Sequence, residues 1–215
     1  MEEAEALPVS IITGFLGSGK TTLLQHLLRH PDMRRTAVII NEFGEIGIDH
    51  DLVAASSEDT VLMESGCICC TIRGDLVNTL RDLYVRRVRG EVPEFERVLI
   101  ETTGLADPAP ILNMLMRESF AVRHYVLDGV VTVVDGLNGL AQLESHAEAM
   151  KQAAVADRLV VTKGDRVAAE RLDRLIRRLR ALNPAAPILS AVMGVLDPAA
   201  ILGAGPFQTF WRITL

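Results

Sequence analysis

The segment Gly14-Phe15-Leu16-Gly17-Ser18-Gly19-Lys20-Thr21 constrains the fold more than any other stretch of the chain. It fits G-x-x-x-x-G-K-[ST], a pattern that works when a buried strand runs into it and a helix leaves it. Both flanks comply. The apolar run Val9 to Thr13 precedes it, and Thr21 to Leu28 follows with apolar residues at helical spacing. The glycines let the backbone curl so that its N–H groups converge on phosphates, and the helix N-terminus adds partial positive charge. In such a loop Lys20 reaches the β- and γ-phosphates and the Thr21 hydroxyl coordinates Mg²⁺. Gly14, Gly17, Ser18, Gly19 and Thr22 complete the expected cradle.

The rest of the chain repeats this alternation of strand and helix. Further strands are expected at Thr36 to Asn41, Val61 to Met63, Arg97 to Ile100, Val130 to Val134, Leu159 to Val161 and Pro187 to Leu189. They are mostly continuous apolar runs, as in strands buried on both faces of a parallel sheet. Helices are expected at Leu76 to Val88 and Leu172 to Leu182. In the latter, Leu172, Leu175, Ile176, Leu179 and Leu182 share one face, leaving Arg171, Arg174, Arg177, Arg178 and Arg180 to solvent. The expected fold is α/β, a three-layer sandwich around a mostly parallel sheet of the P-loop NTPase type.

Composition narrows the function. A net charge of −6 argues against nucleic acid as a partner. The longest apolar runs, such as Gly129 to Val134, fall far short of the roughly 18 residues a membrane span needs. The acidic start Met1-Glu2-Glu3 is unlike a secretory signal, so the expected location is cytoplasmic. The expected organisation is a flexible acidic segment over 1–7, a nucleotide-binding domain over 8–207 and a tail over 208–215.

Thr162-Lys163-Gly164-Asp165 follows the strand ending at Val161 and resembles the Asn/Thr-Lys-x-Asp loop of GTPases. A carboxylate at Asp165 can accept hydrogen bonds from N1–H and the 2-amino group of guanine, donors that adenine lacks. Ser190-Ala191 is expected to form a further guanine-contacting loop after the strand ending at Leu189. Glu101-Thr102-Thr103-Gly104 resembles the D-x-x-G switch with Glu for Asp: Glu101 would serve the Mg²⁺ shell and the Gly104 N–H would sense the γ-phosphate. Asp135 is the rival acid, with a turn cap as its other reading.

All three cysteines lie in Cys67-Ile68-Cys69-Cys70. Such a cluster suits a thiophilic metal in a reducing compartment, Zn²⁺ being the natural guest and Co²⁺ or Cu⁺ also fitting. Three ligands in so short a span do not fill a tetrahedral site. Glu42 and Glu45 in Asn41-Glu42-Phe43-Gly44-Glu45 are candidates for the remaining ligand, with His50 and His124 as further possibilities.

Taken together, these motifs resemble the CobW-like P-loop GTPases, which act as metal chaperones or metal-homeostasis factors. The matching residues are Gly14 to Thr22, Asn41 to Glu45, Gly66 to Cys70, Glu101 to Gly104 and Thr162 to Asp165. The resemblance implies GTP binding and slow hydrolysis with Mg²⁺, a transition-metal site on the Cys-x-Cys-Cys loop, and a client metalloprotein as partner. Members of that family usually continue into a second, smaller C-terminal domain, and the expectation here is that this domain is absent, the sequence ending at Leu215. Two other readings stay open: a small-molecule kinase with structural cysteines, and a non-enzymatic metal sensor or buffer switched by GTP.

Overall fold

The computed structural model describes residues 6–41, 61–64 and 72–203. Its frame is a seven-stranded sheet in the order β3-β2-β4-β1-β5-β6-β7. The strands are β1 (Leu7–Thr13), β2 (Thr36–Asn41), β3 (Val61–Glu64), β4 (Arg97–Thr102), β5 (Tyr125–Asp135), β6 (Arg158–Thr162) and β7 (Ile188–Ala191). Every pairing among them is parallel. The helices are α1 (Lys20–Leu28), α2 (Ile72–Val88), α3 (Ala109–Arg117), α4 (Ser119–His124), α5 (Gly139–Ser145), α6 (Ala147–Ala154) and α7 (Ala169–Leu182). None of the described helices is long and apolar enough to cross a membrane.

The apolar runs are continuous because both faces of the sheet are covered. Ala37 and Ile39 of β2 and Val98 and Ile100 of β4 pack with Leu76, Leu80 and Leu83 of α2 and Ile111 of α3. Between them in sequence, Val38 and Leu99 point to the other face, against Leu23, Leu24 and Leu27 of α1. A third cluster joins Leu159 and Val161 of β6 to Leu143 of α5, Ala149 and Ala153 of α6, and Leu175 and Leu179 of α7. The five arginines of α7 are exposed, as its apolar stripe requires.

Several boundaries differ from the expected ones. β5 begins at Tyr125 instead of Val130, because Asp128-Gly129, a turn signal in sequence, forms a bulge inside the strand. The Asp128 carboxylate is buried there and accepts from the Ser10 hydroxyl at 2.7 Å and from Gly203 N at 3.0 Å. α3 to α6 went unanticipated: Pro110 reads as a helix breaker but occupies the first turn of α3, where its missing N–H costs nothing. Ser190 and Ala191 are not a loop. They end β7, paired with Val161 and Thr162 of β6, because the ladder with β6 extends past Leu189.

Asn183 closes α7 and ties it to the α6–β6 connection. Its buried amide donates to the carbonyls of Ala153, Ala154 and Ala156 at 3.0, 3.2 and 2.8 Å, and its Oδ1 accepts from Ala186 N at 3.2 Å. Two of those acceptors are orphan carbonyls of the α6 C-terminus. Asn183→Ala strips partners from these buried groups and is expected to cost about 2–3 kcal/mol of stability. Urea unfolding checks this, with the midpoint falling at unchanged slope; an unmoved midpoint would show that water replaces the amide.

Candidate functional site

The loop between β1 and α1 lies at the C-terminal edge of the central strand, where parallel α/β sheets place their ligands. Gly14 (φ 146°) is required by close approach, since a Cβ there would overlap the Val133 carbonyl oxygen of β5. Gly19 (φ 93°) precedes Lys20, the first residue of α1. The buried Lys20 ammonium donates to the carbonyls of Gly14 at 3.0 Å and Phe15 at 3.5 Å. Ser18 is fully buried, and its hydroxyl has no hydrogen-bond partner among the described residues. Gly17 and Thr22 are exposed.

Thr21 Oγ1 donates to Glu101 Oε1 at 3.2 Å. Glu101 is 4% exposed and stands near the end of β4, opposite Ile12 of β1 and Ile40 of β2. The strand beside the loop therefore delivers the acid to the first turn of α1. Gly104 follows immediately and is wedged against the loop: a Cβ on it would lie 2.7 Å from Leu16 N and 2.8 Å from Leu16 Cα.

Asp135 is committed elsewhere. Its carboxylate accepts from Leu137 N at 2.8 Å, from the Asn138 side-chain amide at 3.2 Å and from Lys163 Nζ at 2.9 Å. Burial pushes this carboxyl up, but the hydrogen bonds from Lys163, Leu137 N and Asn138 outweigh it and hold the group below the usual carboxylate range. The turn-capping role thus describes Asp135 better than the rival role beside Thr21.

The segment after β6 is docked onto the same loop. Thr162 Oγ1 donates to Ser18 O at 2.6 Å, and Lys163 Nζ to Gly17 O at 2.6 Å. Lys163 adopts a left-handed conformation (φ 54°), which turns the chain into a short 3₁₀ helix, Gly164–Arg166. Asp165 is exposed on that turn. Ala191 is fully buried, whereas Ser190 is exposed and its Oγ lies 4.0 Å from where a Cβ on Gly164 would be.

His124 is not near these groups. It ends α4 at the N-terminal edge of β5, with its ring 4.1 Å from Tyr84 and 4.6 Å from Phe120, so it serves an aromatic cluster. Cys67, Cys69, Cys70, Glu42, Glu45 and His50 lie outside the described residues. The strands that precede them, β2 ending at Asn41 and β3 ending at Glu64, pair with each other, and both are parallel to β4, which β2 flanks. Both therefore run toward the edge that carries Glu101. Gln152 of α6, which donates to Gly104 O at 3.2 Å and Ala106 O at 2.9 Å, had no signal in sequence: it belongs to no motif and shares a short Ala-rich helix with the polar residues Glu148 and Lys151.

Comparison with known proteins agrees with this arrangement. The "Zinc chaperone YjiA" of Escherichia coli is 36% identical over 202 residues, covering 94% of this chain and 63% of its own length. The "Zinc-regulated GTPase metalloprotein activator 1" of Schizosaccharomyces pombe is 32% identical over 203 residues, covering 90% of this chain and 47% of its own length. The crystal structure of Zn(II)-bound YjiA GTPase from E. coli superposes with a TM-score of 0.76 at 30% identity, covering 95% of this chain and 63% of that one. HypB from Helicobacter pylori, at 17% identity and a TM-score of 0.62, shares the fold. The chain thus spans under two thirds of the length of these first relatives. With residues 8–190 matched, the chain belongs to the family described as CobW/HypB/UreG, nucleotide-binding domain.

Proposed function

We propose that this chain binds and hydrolyses GTP and couples that cycle to handling of a transition metal, zinc by the names of its relatives. The carrying observation is the 3.2 Å hydrogen bond from Thr21 Oγ1 to Glu101 Oε1 at the foot of the glycine-rich loop. Paired oxygen ligands, a hydroxyl and a carboxyl group held at 4% exposure, suit a small hard cation such as Mg²⁺. The bound ion would neutralise charge on the β- and γ-phosphate oxygens. The cradle of Gly14, Gly17, Ser18, Gly19 and Thr22 would supply backbone donors to the phosphates, and the buried unpartnered Ser18 hydroxyl fits that polar surrounding.

In hydrolysis water attacks the γ-phosphorus, the bond to the β,γ-bridging oxygen breaks, and GDP leaves with the electron pair. The proton lost by the water passes to phosphate and solvent. Lys20 would hold the transferring group as a point charge, and the Gly104 N–H would register its presence. Exposed Asp165 would accept from guanine N1–H and the 2-amino group, with Thr162 and Lys163 fixing its turn on the loop and Ser190 and Ala191 behind it.

For the metal, we assign Cys67 and Cys69 with Cys70 or a glutamate, Glu42 or Glu45, as ligands, and a client metalloprotein as recipient. β2, which flanks β4 at Glu101, and β3 on its far side both run to the nucleotide edge, so these residues follow in sequence from strands that end there. Ordering by a γ-phosphate would gather the ligands, and hydrolysis would scatter them.

Lys20→Ala is expected to weaken Mg–GTP binding and nearly abolish turnover while leaving the fold intact by circular dichroism; unchanged phosphate release would remove the loop from phosphate binding. Asp165→Asn is expected to shift preference from GTP toward xanthosine triphosphate in competition binding, since an amide donates to the carbonyl that replaces guanine's amino group. An unchanged preference ratio would reject the guanine assignment. Zinc should bind about 5–150-fold more tightly with Mg–GTP than with GDP, the usual range of such coupling. Chelator competition in both nucleotide states reads this, and equal affinities, or undiminished binding in Cys67→Ser/Cys69→Ser, would overturn it.

A further inference from the structure

The segment that follows Glu101 is gripped from α6 by neighbouring side chains. Lys151 forms an ion pair with Asp107 at 2.7 Å, and both partners are largely exposed. Gln152, 1% exposed, sits underneath and donates through Nε2 to Gly104 O at 3.2 Å and to Ala106 O at 2.9 Å. The direction of that amide is set by chemistry: a rotated amide would oppose its own oxygen to both carbonyls. Its Oε1 has no partner among the described residues, so an apolar side chain of equal length would strand no acceptor on its own side. Gln152 is itself anchored, since its carbonyl accepts from the Thr132 hydroxyl of β5 at 2.7 Å.

Gly104 is therefore held from two sides. One is the phosphate loop, which leaves no room for a Cβ between Gly104 and the Leu16 backbone. The other is the Gln152 amide. The same helical pair also touches that loop directly, through Gln142 Nε2 on Leu16 O at 3.4 Å and His146 stacked on Phe15 at 4.5 Å. The intervening Leu105 is 55% exposed, so burial of its own side chain does not fix the segment.

We infer that Gln152 is a positioning residue for GTP hydrolysis: by holding the Gly104 and Ala106 carbonyls it keeps the Gly104 N–H at the height of the phosphate loop. This role rests on the GTPase reading above. Gln152 acts through Gly104, whose carbonyl it holds. The ground-state hold on GDP, which draws on the loop and Asp165, does not depend on it.

The test compares the full chain with its Gln152→Met variant in GTP turnover, GDP affinity, thermal midpoint and amide hydrogen exchange. In the variant kcat should fall about 10–100-fold, the scale of a small misplacement at a reacting centre. KM for GTP and GDP affinity should change less than about threefold, and exchange at Leu105 and Ala106 should quicken while the P-loop strand keeps its protection. Gln152→Glu adds a pH profile. Its introduced carboxyl donates only when protonated, so relative kcat should rise as pH falls through that group's raised pKa. Unchanged kcat with unchanged exchange overturns the inference. Equal losses in kcat and GDP affinity, with a lowered thermal midpoint, also overturn it, because they mark general destabilisation. An unsubstituted chain that binds but does not hydrolyse GTP overturns the functional reading first and this role with it, a result visible before any variant is made.

Discussion

A loop that turns its N–H groups inward to meet an anion must turn its carbonyls outward, and each outward carbonyl needs a donor. The side chains around this loop answer that demand. Lys20 serves Gly14 O, and Ser18 N and Lys20 share Phe15 O. Gln142 serves Leu16 O, Lys163 serves Gly17 O, and the Thr162 hydroxyl serves Ser18 O. The donors come from α1, α5 and the end of β6, so the loop's shape is set by elements far away in sequence. The parallel sheet makes this possible by ending β1, β5 and β6 at a common edge.

The same demand explains the fate of the acids. The Lys163 ammonium that reaches Gly17 O is also paired with Asp135 at 2.9 Å. Asp135 in turn is held ionised against its burial by that ammonium and by backbone donors of its own turn. Because its folded pKa is depressed, the stability it supplies is present above the unfolded carboxylate pKa and is lost as pH falls through the folded value. Glu101 is left to face Thr21. The division of labour between two acids on the strands that flank β1 thus follows from where Lys163, just after β6, lands.

What was legible in the sequence follows this logic. The sheet could be read because burial on both faces demands continuous apolar runs, and β2 matches its expected span, Thr36 to Asn41. The glycine-rich loop, Glu101 and Thr162 to Asp165 could be read because their spacing is tied to strand ends. Legibility failed where a residue's meaning depends on its neighbours in space. Asp128-Gly129 spells a turn, yet the Ser10 hydroxyl and Gly203 N make a buried bulge carboxylate tolerable. Ser190 and Ala191 read as loop because nothing local says that Val161 and Thr162 continue the ladder beside them. Gln152 carries no periodic or motif signal at all.

Gln152 belongs to the same accounting as the phosphate loop's partners. The chain after Glu101 leaves the sheet, so its carbonyls lose the ladder that satisfied them within β4. Backbone turns satisfy part of the segment, through Ala106 N on Thr103 O at 3.1 Å, but Gly104 O and Ala106 O are served by a side chain. A side-chain clamp differs from a strand ladder in one respect: it can open without unfolding its neighbours. Under the proposed function, a segment that registers a γ-phosphate would use that property, since a ladder would hold it in one place regardless of ligand. The phosphate loop, whose carbonyls have donors from several elements, is built to stay. The segment after it is held by the Gln152 amide, the Lys151–Asp107 pair and the close approach of Gly104 to the Leu16 backbone.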